Sequence, residues 1–186
     1  MQAADRRDEI LDAAQAILGR RGVRAATIEE ITSRAGIAKG TFYLYFDSKD
    51  AVQQALRERL GAALLRDVEA ALKRKNRNQA IGDFIAAVID FNVRNDGRSG
   101  LAARRPEGFP PADSERAVGT AFARFLADGV RAGDFDIKDP QALASLLYGS
   151  LRAAFEDPGA SAESASLRDA AEEMFRLVLV RKRRKK

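Results

Sequence analysis

The sequence predicts an all-α fold of about nine helices in total, on three observations. Apolar residues recur at spacings of three and four along nearly the whole chain, which is the signature of amphipathic helix. No sustained apolar–polar alternation, the mark of a half-buried strand, is present. Helix start and stop signals punctuate the chain, among them Thr27-x-x-Glu30, Asp139-Pro140 and Pro158-Gly159.

The first helix is expected over about Arg6–Arg20, with Ile10, Ala13, Ala14, Ile17 and Leu18 on one face and Gly22 as its C-cap. Thr27 opens a second helix, because Glu30 three residues on completes a capping box. Ile28, Ile31 and Ala35 form its apolar stripe, and Gly36, free of a Cβ, supplies the left-handed conformation of a sharp turn. A short third helix covers about Ala38–Tyr45. Ser48 caps a long fourth helix with Val52, Leu56, Leu60, Leu64 and Val68 inward. The polar run Lys73–Asn78 reads as a connection to a fifth helix carrying Ile81, Phe84, Ile85, Val88 and Ile89. Residues 95–112, rich in Gly, Pro and Arg, read as a loop with room for one short helix. A helix near 113–132 presents Val118, Phe122, Phe125, Leu126 and Val130. Asp139 as cap and Pro140 at the first position start the next, which Pro158-Gly159 stops. The last helix spans about 165–183.

Composition narrows the function classes. The chain has 186 residues and neither Cys nor His, which removes thiolate chemistry and the commonest general base and metal ligand. Neither a cofactor nor a metal is expected. No apolar run is long enough to span a membrane, and the charged N-terminus lacks the apolar core of a signal peptide, so a cytoplasmic protein without a membrane partner is expected. The net charge of +5 comes from the final six residues, RKRRKK; without them 26 basic residues face 27 acidic ones. Bulk basicity therefore does not argue for nucleic acid, and the placement of charges must.

The stretch Thr27–Phe46 reads helix, tight glycine turn, helix, the arrangement of a helix-turn-helix. Set at 100° per residue, Ala38, Phe42 and Phe46 share one side of the third helix; Gly40, Thr41, Tyr43 and Leu44 occupy the other, with Tyr45 on the flank. The phenylalanines anchor and the opposite side projects, as a helix entering the major groove of double-stranded DNA requires. Gly40 permits close backbone approach. Lys39 and Lys49 sit at helix N-termini, where the macrodipole disfavours a cation unless an anion is bound there as well. Two such lysines flanking a tyrosine-bearing helix fit clamping of phosphates on either side of a groove. On that reading Lys49→Ala flattens the salt dependence of binding by about one unit of slope.

Residues 35–52, AGIAKGTFYLYFDSKDAV, resemble the DNA-binding signature of the tetracycline-repressor (TetR) family, and the layout over residues 6–55 is similar to its three-helix reading head followed by a long fourth helix. The resemblance implies a helix-turn-helix DNA-binding domain over residues 1–47 and a larger helical effector-binding and dimerisation domain over 48–186. It implies a homodimer on a palindromic operator, usually a repressor, released by a small-molecule effector. Carried across by position, Thr27 bonds a phosphate; Lys39, Gly40, Thr41 and Tyr43 approach bases or flanking phosphates; Tyr45 and Lys49 clamp the backbone. Leu44 suits a thymine methyl.

The same resemblance assigns the last two helices to the dimer interface. Ala144, Ser145 and Gly149 allow close helix approach beside Tyr148, and Leu167, Ala171, Met174, Phe175 and Val178 line the last helix; the same faces also suit the monomer core. Phe84, Phe91, Phe109, Phe122, Phe125, Tyr148 and Phe155 are candidates to line an effector cavity, or equally to fill a core. If any of Arg94, Arg98, Arg104, Arg105 or Arg152 faces inward, an anionic ligand follows, because an unpaired buried charge is costly; surface solvation is the alternative. Two rival classes remain. An enzyme lacks support, since Asp47, Asp50 and the Glu29–Glu30 pair read as helix-end or surface residues and no phosphate-loop glycine pattern occurs. A helical adaptor or membrane-surface protein acting through RKRRKK is the other; in the family layout that end lies away from the operator, and the tail reads as a solvated helix end.

Overall fold

The computed structural model describes residues 3–95, 113–155 and 164–179, and all regular structure in them is helical. The described helices are α1 (Ala3–Ala25), α2 (Ile28–Ala35), α3 (Lys39–Phe42), α4 (Lys49–Leu72), α5 (Arg77–Asn95), α6 (Asp113–Arg131), α7 (Pro140–Ala153) and α8 (Ser164–Leu179). That makes eight; the ninth helix allowed for between residues 95 and 112 lies outside the described residues. α1, α2 and α3 pack into a head, α4 runs from it into the body, and α5 to α8 pack around α4 and one another.

The local signals act as their chemistry dictates. Thr27 and Glu30 form a complete capping box, Gly36 is left-handed at φ 66° and ψ 34°, and the Ser48 hydroxyl accepts from the Ala51 amide. The Asp139 carboxylate accepts from the Ala142 amide, with Pro140 opening α7. Three boundaries differ from expectation. Gly22, at φ 76° and ψ 159°, kinks α1 instead of ending it, and one more turn follows, closed by the Ala26 amide on the Gly22 carbonyl. The connection after α4 is shorter than Lys73–Asn78, because the Asn76 side chain accepts from the Asn78 and Gln79 amides and starts α5 there. The regular part of α3 is four residues long rather than about eight.

The body is held by aromatic packing. Phe84 and Phe122 stack with centroids 4.2 Å apart, and Phe175 lies 5.8 Å from Phe122 and 6.2 Å from Phe84. All three are fully buried. Such pairs are worth about 0.5–1.5 kcal/mol each beyond their area. Near the end of α6 the chain turns back at Gly133, and Phe135 folds its ring onto Gly129 and against Phe125, centroids 6.1 Å apart.

A Cβ on Gly129 would collide with that ring. Gly129→Ala is therefore expected to lower stability by about 1–3 kcal/mol, read as a lower urea midpoint. Gly82→Ala, in the middle of α5 with open space around it, is expected to raise the midpoint. Equal effects from the two would dismiss the close-packing account.

Candidate nucleic-acid interface

The head is organised by two phenylalanines. Phe42 is fully buried and Phe46 is 5 % exposed; their rings lie 6.0 Å apart. The Arg7 guanidinium of α1 sits 5.0 Å over the Phe46 ring, a contact that sequence spacing did not suggest. After Phe42 the backbone keeps turning: the Leu44 amide donates to Thr41, and those of Tyr45 and Phe46 to Phe42. This holds the segment in a helical path beyond its four regular residues. Tyr43 and Leu44 project from it at 47 % and 80 % exposure. Gly40 and Lys39 are exposed, and Thr41 is half-buried. Tyr45 is half-buried against the core, and Ala38, grouped by its angle with the phenylalanines, is exposed as the N-cap of α3.

The polar groups assigned to phosphates have partners within the chain. The Thr27 hydroxyl accepts from the Glu30 amide at 3.2 Å and donates to the Glu30 carboxylate at 3.2 Å. The Lys39 ammonium pairs with Glu29, an exposed contact that pulls the Glu29 carboxyl below its usual range and raises the lysine. The Lys49 ammonium donates to the main-chain carbonyls of Val23 at 2.8 Å, Ala26 at 2.9 Å and Arg24 at 3.4 Å. It ties the start of α4 to the end of α1, because the last carbonyls of a helix lack intrahelical donors and attract a cation. The exposed Arg20, Arg24 and Arg34 of the head have no ion-pair partner among the described residues.

In the body, Phe84, Phe122 and Phe125 belong to the filled core rather than to a cavity wall. Phe91, Tyr148 and Arg152 do meet at a cavity of about 30 Å³, beside Arg57, Asn92 and Glu115. Arg57 and Glu115 were missed by sequence reading. The signal existed: Gln53, Arg57, Leu60, Leu64 and Val68 recur at helical spacing, and all five are buried. Arg94 points to the surface, 3.9 Å from Asp67. Phe109, Arg98, Arg104, Arg105 and the RKRRKK run lie outside the described residues. Of the dimer candidates, Ala144, Tyr148, Ala171 and Phe175 are buried within the single chain, and Leu167 and Met174 are partly buried. Ser145 and Gly149 are exposed on α7 next to Leu146 at 71 %, and Val178 is exposed on α8 next to Leu177 at 74 %. No described helix is long and apolar enough to cross a membrane.

Comparison with known proteins gives this geometry a context. Residues 10–56 match the family model described as bacterial regulatory proteins, tetR family. The chain is 38 % identical over 71 residues to the HTH-type transcriptional regulator YvdT of Bacillus subtilis, which is 38 % of this chain and 37 % of that protein. It is 37 % identical over 87 residues to the HTH-type transcriptional regulator BetI of Brucella suis, 47 % of this chain and 42 % of that protein. The matched stretches thus span less than half the length of these relatives. The crystal structure of a TetR-family transcriptional regulator from Pectobacterium atrosepticum superposes with a TM-score of 0.80 at 25 % identity, covering 98 % of this chain and all of that one. These two relatives and this fold neighbour are named as transcriptional regulators. The head, residues 10–56, thus matches the tetR family of bacterial regulatory proteins in sequence, and the whole chain is similar in fold to a TetR-family transcriptional regulator.

Proposed function

We propose that this protein is a transcriptional repressor that binds a palindromic DNA operator as a homodimer. In this reading residues 1–47 are the reading head, and residues 48–186 pair the protomers and receive a small-molecule effector that releases the DNA. The carrying observation is Leu44, an apolar side chain 80 % exposed beside Tyr43 on a segment pinned from behind by fully buried Phe42. Fully covering a leucine is worth about 1.5–3 kcal/mol, and the floor of a major groove offers thymine methyls as cover. Thr41, Tyr43 and Leu44 are the base-facing residues of the proposal, with Gly40 allowing close approach.

The decisive experiment selects bound sequences from a random duplex pool with the native protein and with Thr41→Ala and Tyr43→Phe variants. The preferred operator is expected to change at particular positions. Equal weakening on every duplex would remove these residues from base reading.

The bonds of the two lysines give them different expected behaviour. Lys49→Ala removes three main-chain contacts, so a loss of about 1–3 kcal/mol of stability is expected, with little change in the salt slope of binding. Glu29→Gln releases Lys39 from its partner, so tighter binding and a slope steeper by about 0.9 are expected. Both are read from operator affinity between about 50 and 200 mM salt. A slope flattened by Lys49→Ala would return that ammonium to the phosphate backbone.

For the dimer, the exposed Leu146 and Leu177 are the apolar surface offered by α7 and α8. Leu146→Glu with Leu177→Glu is expected to give monomers by sedimentation, with helix content retained. A persisting dimer would move the interface elsewhere.

A further inference from the structure

Gripping a DNA strand takes cations, and several cations of the head are committed within the chain. Lys39 is held by Glu29, Arg21 by Glu30, and Lys49 by three main-chain carbonyls. Arg7, Arg20, Arg24 and Arg34 are exposed and have no ion-pair partner among the described residues. Of these four, Arg7 alone lies on an aromatic ring among the described residues: its guanidinium sits 5.0 Å over Phe46. Such stacking occupies the face of the guanidinium and leaves the N–H donors along its edge directed outward. The ring beneath is 5 % exposed and seated in the core of the head, so the platform is fixed. Phe46 also closes the recognition segment. Its ring lies 6.0 Å from Phe42, which lies 5.4 Å from the exposed Tyr43. These steps separate the guanidinium from the tyrosine on the order of the major-groove width, about 12 Å. That is the scale between a group reading bases and a group holding the strand at the groove edge.

We propose that Arg7 is a DNA-binding residue that grips a backbone phosphate beside the groove entered by Tyr43 and Leu44. The inference rests on the reading of the head as the DNA-binding element. A guanidinium suits a phosphate diester because its planar fork places two parallel N–H donors on two oxygens. Phe46 already restricts the side chain, so less rotamer freedom is lost on binding than for an unstacked surface arginine. Strand, guanidinium and Phe46 then form one chain of contacts. The grip thereby braces the segment whose outer side meets the bases.

The test measures affinity of the full chain for a mixed-sequence duplex and for the selected operator between about 50 and 200 mM salt. Arg7→Gln is expected to weaken binding to both duplexes and to reduce the salt slope by about 0.9. Arg7→Lys keeps the charge without the fork, and is expected to keep the native slope while binding about 3-fold to 10-fold more weakly. Melting temperatures check that both variants fold. Single operator phosphates are then replaced by uncharged methylphosphonates. One position is expected to weaken the native protein and to leave Arg7→Gln unaffected. An unchanged slope in Arg7→Gln overturns the proposal, even where affinity falls, because Arg7 would then only brace Phe46. The absence of any phosphate that the variant ignores overturns it as well. Either result leaves the DNA-binding reading of the head standing. A native chain that binds neither duplex removes that reading and this inference with it.

Discussion

The burial of Phe42 is the constraint on which the reading head depends. A segment with four regular helical residues has no stability of its own, since nucleating a helix is unfavourable and isolated helices need about 12–15 residues. What holds it is the seating of Phe42 and Phe46 in the cluster built by α1, with Ile10, Leu11, Ala14 and Leu18, and by Ile31 of α2. Because those rings take the inner side, Tyr43 and Leu44 have only the outer side left. The 87° edge contact between Phe42 and Tyr43 then limits where the tyrosine ring lies. Exposure of apolar groups here follows from anchoring, and the Gly36 turn sets the angle at which the anchored segment leaves α2.

α4 transfers that constraint to the body. Its first turn is bonded to the end of α1 through Lys49, and further along Arg59 bonds Asp12 at 2.7 Å and Gln15 at 2.9 Å. Val52 and Leu56 enter the shared core between these ties. The head is thus fastened to α4 at its start and again ten residues on, and both fastenings use side chains of α4 on groups of α1.

Much of this architecture was legible from sequence because it is written in local chemistry. Thr27 with Glu30, Gly36, Ser48 and Asp139-Pro140 each satisfy orphan backbone groups within three or four residues, so their effect does not wait on tertiary context. The two-sided pattern around Phe42 was legible for the same reason. What escaped was long-range. Lys49 at a helix start suggested a phosphate, but the carbonyls it meets belong to a helix end more than twenty residues earlier, brought there by packing. Arg57 went unnoticed because its residue type hid its place on the inward stripe; its partner Glu115 lies 58 residues away. The aromatic residues gathered as a prospective cavity wall mostly stack on one another, because periodicity locates an inner face without telling a packed interior from a hollow one.

Arg57 and Arg59 give α4 a mechanical meaning beyond scaffolding. Two residues apart on a helix, they lie about 200° apart around its axis, so one faces α6 and α7 while the other faces α1. The observed bonds obey this: Arg57 reaches Glu115, and Arg59 reaches Asp12 and Gln15. A rigid helix cannot yield on one side without carrying the other. Any change in the Arg57–Glu115 pair therefore bears on the rod that holds the head, without needing a chain of side-chain rearrangements between the two.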